Sequence, residues 1–196
     1  MHRPDEEAYF KQVQAQAMPS HTYATPTGDH AAFREAASAP GNLPMDLVAF
    51  LQGGVAPIIG VRGADGRPLV GSAAACRVQE MRVVRVFLDR VRNAALLDAV
   101  AQGSAVAATF SRARDHRSIQ LKAPYAFLRE VESADLPEIA RQCTILRDEL
   151  VALGYTRAQA IAYTAFDPSD LALVEFTPER VFTQTPGPGA GAELRR

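Results

Sequence analysis

The sequence predicts an α+β protein: a mostly antiparallel sheet of about six strands, closed into a small barrel, with helices at its ends. Two observations carry this expectation. Six short apolar segments follow one another with turn residues between them, and helical patterns fall before, between and after them. Antiparallel sheets of that size remove their open edges by closing on themselves. The 196 residues, 47% hydrophobic and 22% charged, match the composition of an ordinary soluble globular protein with room for a substantial core.

Residues 1–44 read as an N-terminal extension, with one helical pattern from Glu6 to Ala17 and then a polar stretch holding Pro19, Pro26, Pro40 and Pro44. Residues 45–196 read as the barrel domain with a C-terminal Pro/Gly tail. Asp46 is expected to cap a helix over Met45 to Gln52, stopped by Gly53 and Gly54. Strands are expected at Pro57–Val61, Pro68–Val78, Arg82–Leu88, Ala105–Phe110, Ser118–Val131 and Leu171–Thr183, with a helical period from Asn93 to Gln102. The clearest helix opens at Ser133 with an early Pro. It repeats Leu136, Ile139, Cys143, Leu146, Leu150 and Leu153 at three- and four-residue steps and closes at Gly154. Thr156 starts a shorter one that ends at Asp167 and Pro168.

Within the second strand segment, Gly71, Ser72, Ala73, Ala74 and Ala75 are all small. A nearly bare strand in a chain that otherwise buries Leu, Val and Phe leaves its backbone open to a flat ligand or to another chain. The net charge of −1 is unevenly spread: Ile59 to Lys122 carries eleven basic residues against five acidic ones, a local +6, leaving −7 for the remainder. Such a basic middle suggests a small anion, while a pI of about 6.4 argues against general nucleic-acid binding. Equally, the segment's arginines fit solvated strand faces.

No apolar run approaches a membrane span, and the acidic opening MHRPDEEAYF differs from a signal peptide, so a cytoplasmic protein is expected. Cys76 and Cys143 lie far apart without ligand-like neighbours and read as small core residues, and no metal site is expected. There is no G-x-S-x-G, H-E-x-x-H, P-loop or G-x-G-x-x-G motif. Asp115, His116 and Ser118 are too close along one loop to form a triad. A bound organic cofactor is then the natural source of any chemistry.

VAPIIGVRGADGRPLVGSAA as a first hairpin, RVRNAALLDAVAQGSAVAATF as strand end, helix and next strand, HRSIQLKA as the following strand and FTQTPGPGAG at the end follow a familiar order and spacing. In these the chain resembles the FMN-binding split barrels related to pyridoxamine 5'-phosphate oxidase, from about Leu47 to Leu194. The resemblance implies a six-stranded split barrel, a homodimer with two FMN sites at the interface, and a flavin-dependent oxidoreductase acting on an unknown small molecule, with no nucleic-acid or membrane partner. It sets Gly71, Ser72, Ala73 and Ala74 along the isoalloxazine ring. Arg92 and Asn93 fall where the family holds the FMN phosphate at a helix start, and Ser118, Gln120 and Lys122 on a strand that reaches the ring edge.

The chain also departs from that pattern. Val61 replaces a frequent Thr, Asn93 a phosphate-binding Lys, and Ala123 with Pro124 a usual Gly; Cys76 stands where a basic residue would help. Arg90, Arg92 or Arg117 would have to supply the lost positive charge. In the tail, Gln184 and Thr185 offer hydrogen bonds, and Pro186 to Gly191 reads either as a flexible end or as backbone passing close to a ligand or partner. The basic and aromatic C-terminal residues that would bind pyridoxamine phosphate are not found. A non-catalytic barrel holding flavin, haem or another planar ligand is the alternative reading.

Overall fold

The computed structural model describes residues 23–36 and 38–195; the expected helix from Glu6 to Ala17 lies outside them. Among the described residues, nine strands form two antiparallel sheets, ordered β2-β1-β5-β6-β9 and β3-β4-β8-β7. The α+β class stands, and three of the six expected segments each divide into two strands. Pro68–Val78 becomes β2 (Pro68–Ser72) and β3 (Ala75–Gln79), and Ser118–Val131 becomes β6 (Ser118–Ala123) and β7 (Phe127–Arg129). Leu171–Thr183 becomes β8 (Leu171–Phe176) and β9 (Arg180–Thr183). At each division the chain leaves one sheet for the other, so the breaks are corners of the sandwich. The remaining strands are β1 (Ala56–Arg62), β4 (Val83–Asp89) and β5 (Val106–Ser111).

Strand alternation sends Ile59, Val61, Val84, Val86, Ala108, Phe110, Ile119, Leu121, Val174 and Phe176 into one core cluster. Helix α1 (Pro26–Glu35) is capped by the Thr25 hydroxyl, which accepts from the Gly28 amide at 3.1 Å. The next helix, α2 (Met45–Leu51), has Pro44 at its cap, correcting the expected Asp46 cap; Asp46 lies in the first turn, where its charge still faces the amide end. Helix α3 (Ala94–Ala101) covers one end of the first sheet. Helix α4 (Leu136–Ala152) lies against β3, and α5 (Arg157–Thr164) packs on α4.

Two polar devices hold this arrangement. Gln142, on α4 and 1% exposed, accepts from the Cys76 amide at 3.1 Å and donates to the Cys76 carbonyl at 2.6 Å, completing the open edge of β3 as a strand would. Asp135, fully buried just before α4, accepts from Arg77 at 2.8 Å and Arg85 at 3.0 Å, a cross-strand pair on β3 and β4. Its other oxygen accepts from the Glu132 amide and caps the helical turn.

The tail is bonded in place rather than left as a loose end. It doubles back on β9, with the Gly191 amide donating to Thr183 and the Leu194 amide to Val181. Gly187 and Gly189, both at positive φ, turn the chain against Pro26 of α1. Asp29 of α1, 3% exposed, seals the junction by accepting from Arg117 Nε at 2.8 Å, Thr183 Oγ1 at 2.7 Å and Thr185 Oγ1 at 2.5 Å. Among the described residues, no helix is long and apolar enough to cross a membrane, and no three His, Cys, Asp or Glu side chains form a group that could hold a metal ion.

Candidate functional site

The run of small residues occupies the corner between β2 and β3. The Ala73 amide still donates to Pro57 in the first sheet at 3.0 Å, while the Ala74 amide already donates to Phe87 in the second at 2.8 Å. Packing accounts for both ends of the run. A Cβ at Gly71 would fall 1.9 Å from Asn93 Oδ1, and Ala75 is fully buried against Phe87 and Ile139. Its middle is different: Ser72, Ala73 and Ala74 are exposed or half-buried and floor a cavity of ≈ 290 Å³.

Asp89, Arg92 and Asn93, at the start of α3, form one wall of this cavity. Cys143 from α4, Tyr163 from α5 and Phe166 just beyond it also line the cavity. None of these three, nor Asp89, was singled out for the site from the sequence. The α4–α5 residues are some seventy to ninety positions from the corner, so no local spacing joins them to it. Asp89 did carry a signal, since an Asp at a strand end readily accepts from a nearby amide of the following turn, here that of Arg92. Burial pushes the Cys143 thiol up, only partly offset by Arg147, so the sulfur stays protonated and lies 3.5 Å from the Ala74 carbonyl. Burial likewise raises Cys76, whose thiol donates to the Leu51 carbonyl at 3.2 Å.

Of the expected site residues, the fold brings Gly71, Ser72, Ala73, Ala74, Arg92 and Asn93 to this cavity. Arg90 turns away: its guanidinium donates to the Leu171 carbonyl at 3.0 Å and lines a different depression beside Leu128 and Arg129. Arg117 is committed to Asp29, with its guanidinium 4.6 Å from the centre of the Phe50 ring. Asp115 is paired with Arg112, and the Ser118 hydroxyl donates toward Ser111 Oγ at 2.8 Å, so those loop residues do not align as a triad.

Ser118, Gln120 and Lys122 share the outward face of β6, with Gln184 beside Ser118 just past β9. Gln184 donates to Gln120 Oε1 at 3.4 Å and Gln120 to Thr109 Oγ1 at 3.0 Å, while Lys122 Nζ lies 4.4 Å from the centre of the Phe182 ring. The cross-strand row on this face runs Ser72, Ile58, Thr109, Gln120, Phe182. Three strand spacings, about 14 Å, therefore separate Ser72 from Gln120 within one chain. Between the two groups the face is low, with Gly60 and Ala107 in the next row, while Val70 is 70% and Ile58 40% exposed.

The corner lines its cavity with backbone and methyl groups together with Tyr163 and Phe166, surfaces that suit a flat ring. Beside it, the Arg92 amide donates to Asp89 Oδ1 at 2.7 Å, and Arg92 Nε is 3.4 Å from Asp89 Oδ2. The Asn93 side-chain amide is spent on the Asp89 carbonyl at 2.7 Å.

No protein-family model and no curated protein matches this chain. Among solved structures, it is similar to a candidate pyridoxamine 5'-phosphate oxidase from Lactobacillus delbrueckii, with 18% identity, a TM-score of 0.45 and coverage of 72% of this chain and 94% of that one. It is also similar to HupZ from Group A Streptococcus, with 12% identity, a TM-score of 0.46 and coverage of 76% and 99%. A third is a pyridoxamine 5'-phosphate oxidase-related, FMN-binding protein from Nostoc punctiforme, with 12% identity, a TM-score of 0.42 and coverage of 74% and 84%.

Proposed function

We propose that this protein binds a flavin against the Ser72–Ala74 corner and works as a flavin-dependent oxidoreductase on a small molecule. The observation that carries the reading is the corner itself: a bare stretch of backbone that lines, with Tyr163 and Phe166, a cavity of ≈ 290 Å³. FMN is the flavin implied by the sequence resemblance. The ring would supply the redox chemistry, and the chain its position and exclusion of water. Ser72, Ala73 and Ala74 keep one ring face clear, while the locked Asn93 side chain fixes the depth of the cleft.

The second group of residues fits the same reading only across a homodimer. A two-fold partner seated on the outer face of the first sheet would cover Val70 and Ile58 and could bring its own Gln120, Lys122 and Gln184 toward the ring. The domain division at residue 45 and a cytoplasmic location remain part of this proposal.

Titration of riboflavin fluorescence with the purified protein tests the reading. Saturable quenching is expected, and Ala73→Leu should weaken it by about tenfold or more by filling the cleft. Sedimentation should give a dimer. Unchanged fluorescence of both riboflavin and FMN would overturn the flavin assignment, and a mass of 21.1 kDa would remove the interfacial arrangement. Flavin bound tightly but neither reduced by nicotinamide nucleotides nor reoxidised by small acceptors would favour the non-catalytic alternative.

A further inference from the structure

We infer that Asp89 makes the corner cleft select a planar ligand with an uncharged, hydroxyl-rich arm over its phosphorylated counterpart, so that riboflavin is held at least as well as FMN. The inference rests on the flavin reading above and fixes which flavin the cleft takes. In the turn entering α3 the Arg92 amide and the Asn93 side chain are already engaged, and the residue that engages both is acidic. Asp89 Oδ1 accepts from the Arg92 amide, its carbonyl accepts from both the Asn93 amide at 3.2 Å and the Asn93 side chain, and its second oxygen faces the Arg92 guanidinium. The Arg92 side chain is 82% exposed and that of Asp89 36%, so neither is held out of reach of the cavity mouth.

The surrounding charges point the same way. Asp167 lines the cavity, and Asp170 Oδ2 lies 3.5 Å from the Val91 amide in the loop leading into α3. Against these carboxylates the cavity sets one cation, Arg92, because Arg90 faces the depression on the other side of the loop. A phosphate dianion arriving here meets like charge and must compete with Asp89 for the Arg92 amide and guanidinium. A polyol arm meets the opposite situation: hydroxyls donate, and carboxylates offer acceptor sites that need no displacement.

Fluorescence titrations of riboflavin and FMN with the parent and with Asp89→Asn decide the matter. In the parent, riboflavin should bind as tightly as FMN or more tightly. Asp89→Asn keeps the side-chain shape, removes the charge and should improve FMN binding about tenfold while moving riboflavin by less than about threefold. Parent protein that prefers FMN by tenfold overturns the inference, as does an FMN-to-riboflavin ratio unchanged in the variant. If Asp89→Asn fails to fold, as judged by circular dichroism, the parent ratio alone still decides. Failure of both flavins to bind the parent is a separate result: it removes the flavin reading and this inference with it.

Discussion

Replacing Asp135 with Ala is expected to cost about 3–5 kcal/mol, the usual penalty for breaking a buried ion pair by removing one partner. The carboxylate has no exposed surface and answers two arginines at once. Arg77 has an escape, because its side chain is 36% exposed, but that of Arg85 is 4% exposed and cannot turn to water. Its Nε already lacks a hydrogen-bond partner, with Glu175 no nearer than 3.7 Å. Loss of Asp135 would leave that guanidinium charged, buried and without its strongest acceptor. The helical turn that begins α4 would also lose its cap, adding about 1 kcal/mol. Together, about 4–6 kcal/mol, these losses should lower the melting temperature of a chain of this size by roughly 8–24 °C. Asp135→Ala paired with Arg85→Met, which removes the orphaned charge, should recover most of the loss. A single variant that melts within two degrees of the parent, in scans at matched concentration, would show that the pair does not hold sheet and helix together.

Gly71→Ala is the second large effect, and it acts through one atom. The added methyl would overlap Asn93 Oδ1 and lie 3.2 Å from Leu96 Cδ1, both on or beside α3. Asn93 is 7% exposed and bonded to the Asp89 carbonyl, so it cannot swing aside without giving up that bond. Overpacking of this kind costs about 1–3 kcal/mol. Asn93→Ala alone should cost about 1 kcal/mol through the lost hydrogen bond. Together the two changes should cost clearly less than their sum, because each relieves the other. Urea denaturation of the four proteins measures the coupling. Strict additivity would mean that Gly71 and Asn93 do not meet, and that the corner owes its small residues to something else.

How much was legible in the sequence differs between the fold and the site. The 3.6-residue period of α4 and the turn residues around α3 placed those helices to within a few residues. The corners were harder. Pro124 and Pro178 mark two of the three places where the chain changes sheets, but the Ala73–Ala74 corner keeps an apolar pattern and carries no proline, so it read as one continuous bare strand. The small run stood out in the sequence, yet half its explanation is Asn93 and α3, which only the fold supplies. Gln142 shows the limit most clearly. On a helix face a glutamine reads as solvated, and nothing nearby announces that a strand edge 66 residues earlier needs both ends of its amide. The cleft has the same difficulty, since its floor and its aromatic wall come from opposite halves of the chain.

The junction sealed by Asp29 has a consequence for the order in which the molecule can be made. Its acceptor oxygens wait for hydroxyls on Thr183 and Thr185, the latter 156 residues further along. The edge of β6 likewise waits for β9, the last strand of its sheet. A chain emerging from the ribosome therefore carries an open strand edge and a carboxylate answered only by Arg117 until Arg180 to Thr185 are released, and closure waits for that segment. Ribosome-bound chains stalled before Arg180 should accordingly be cut by protease where the released protein is not.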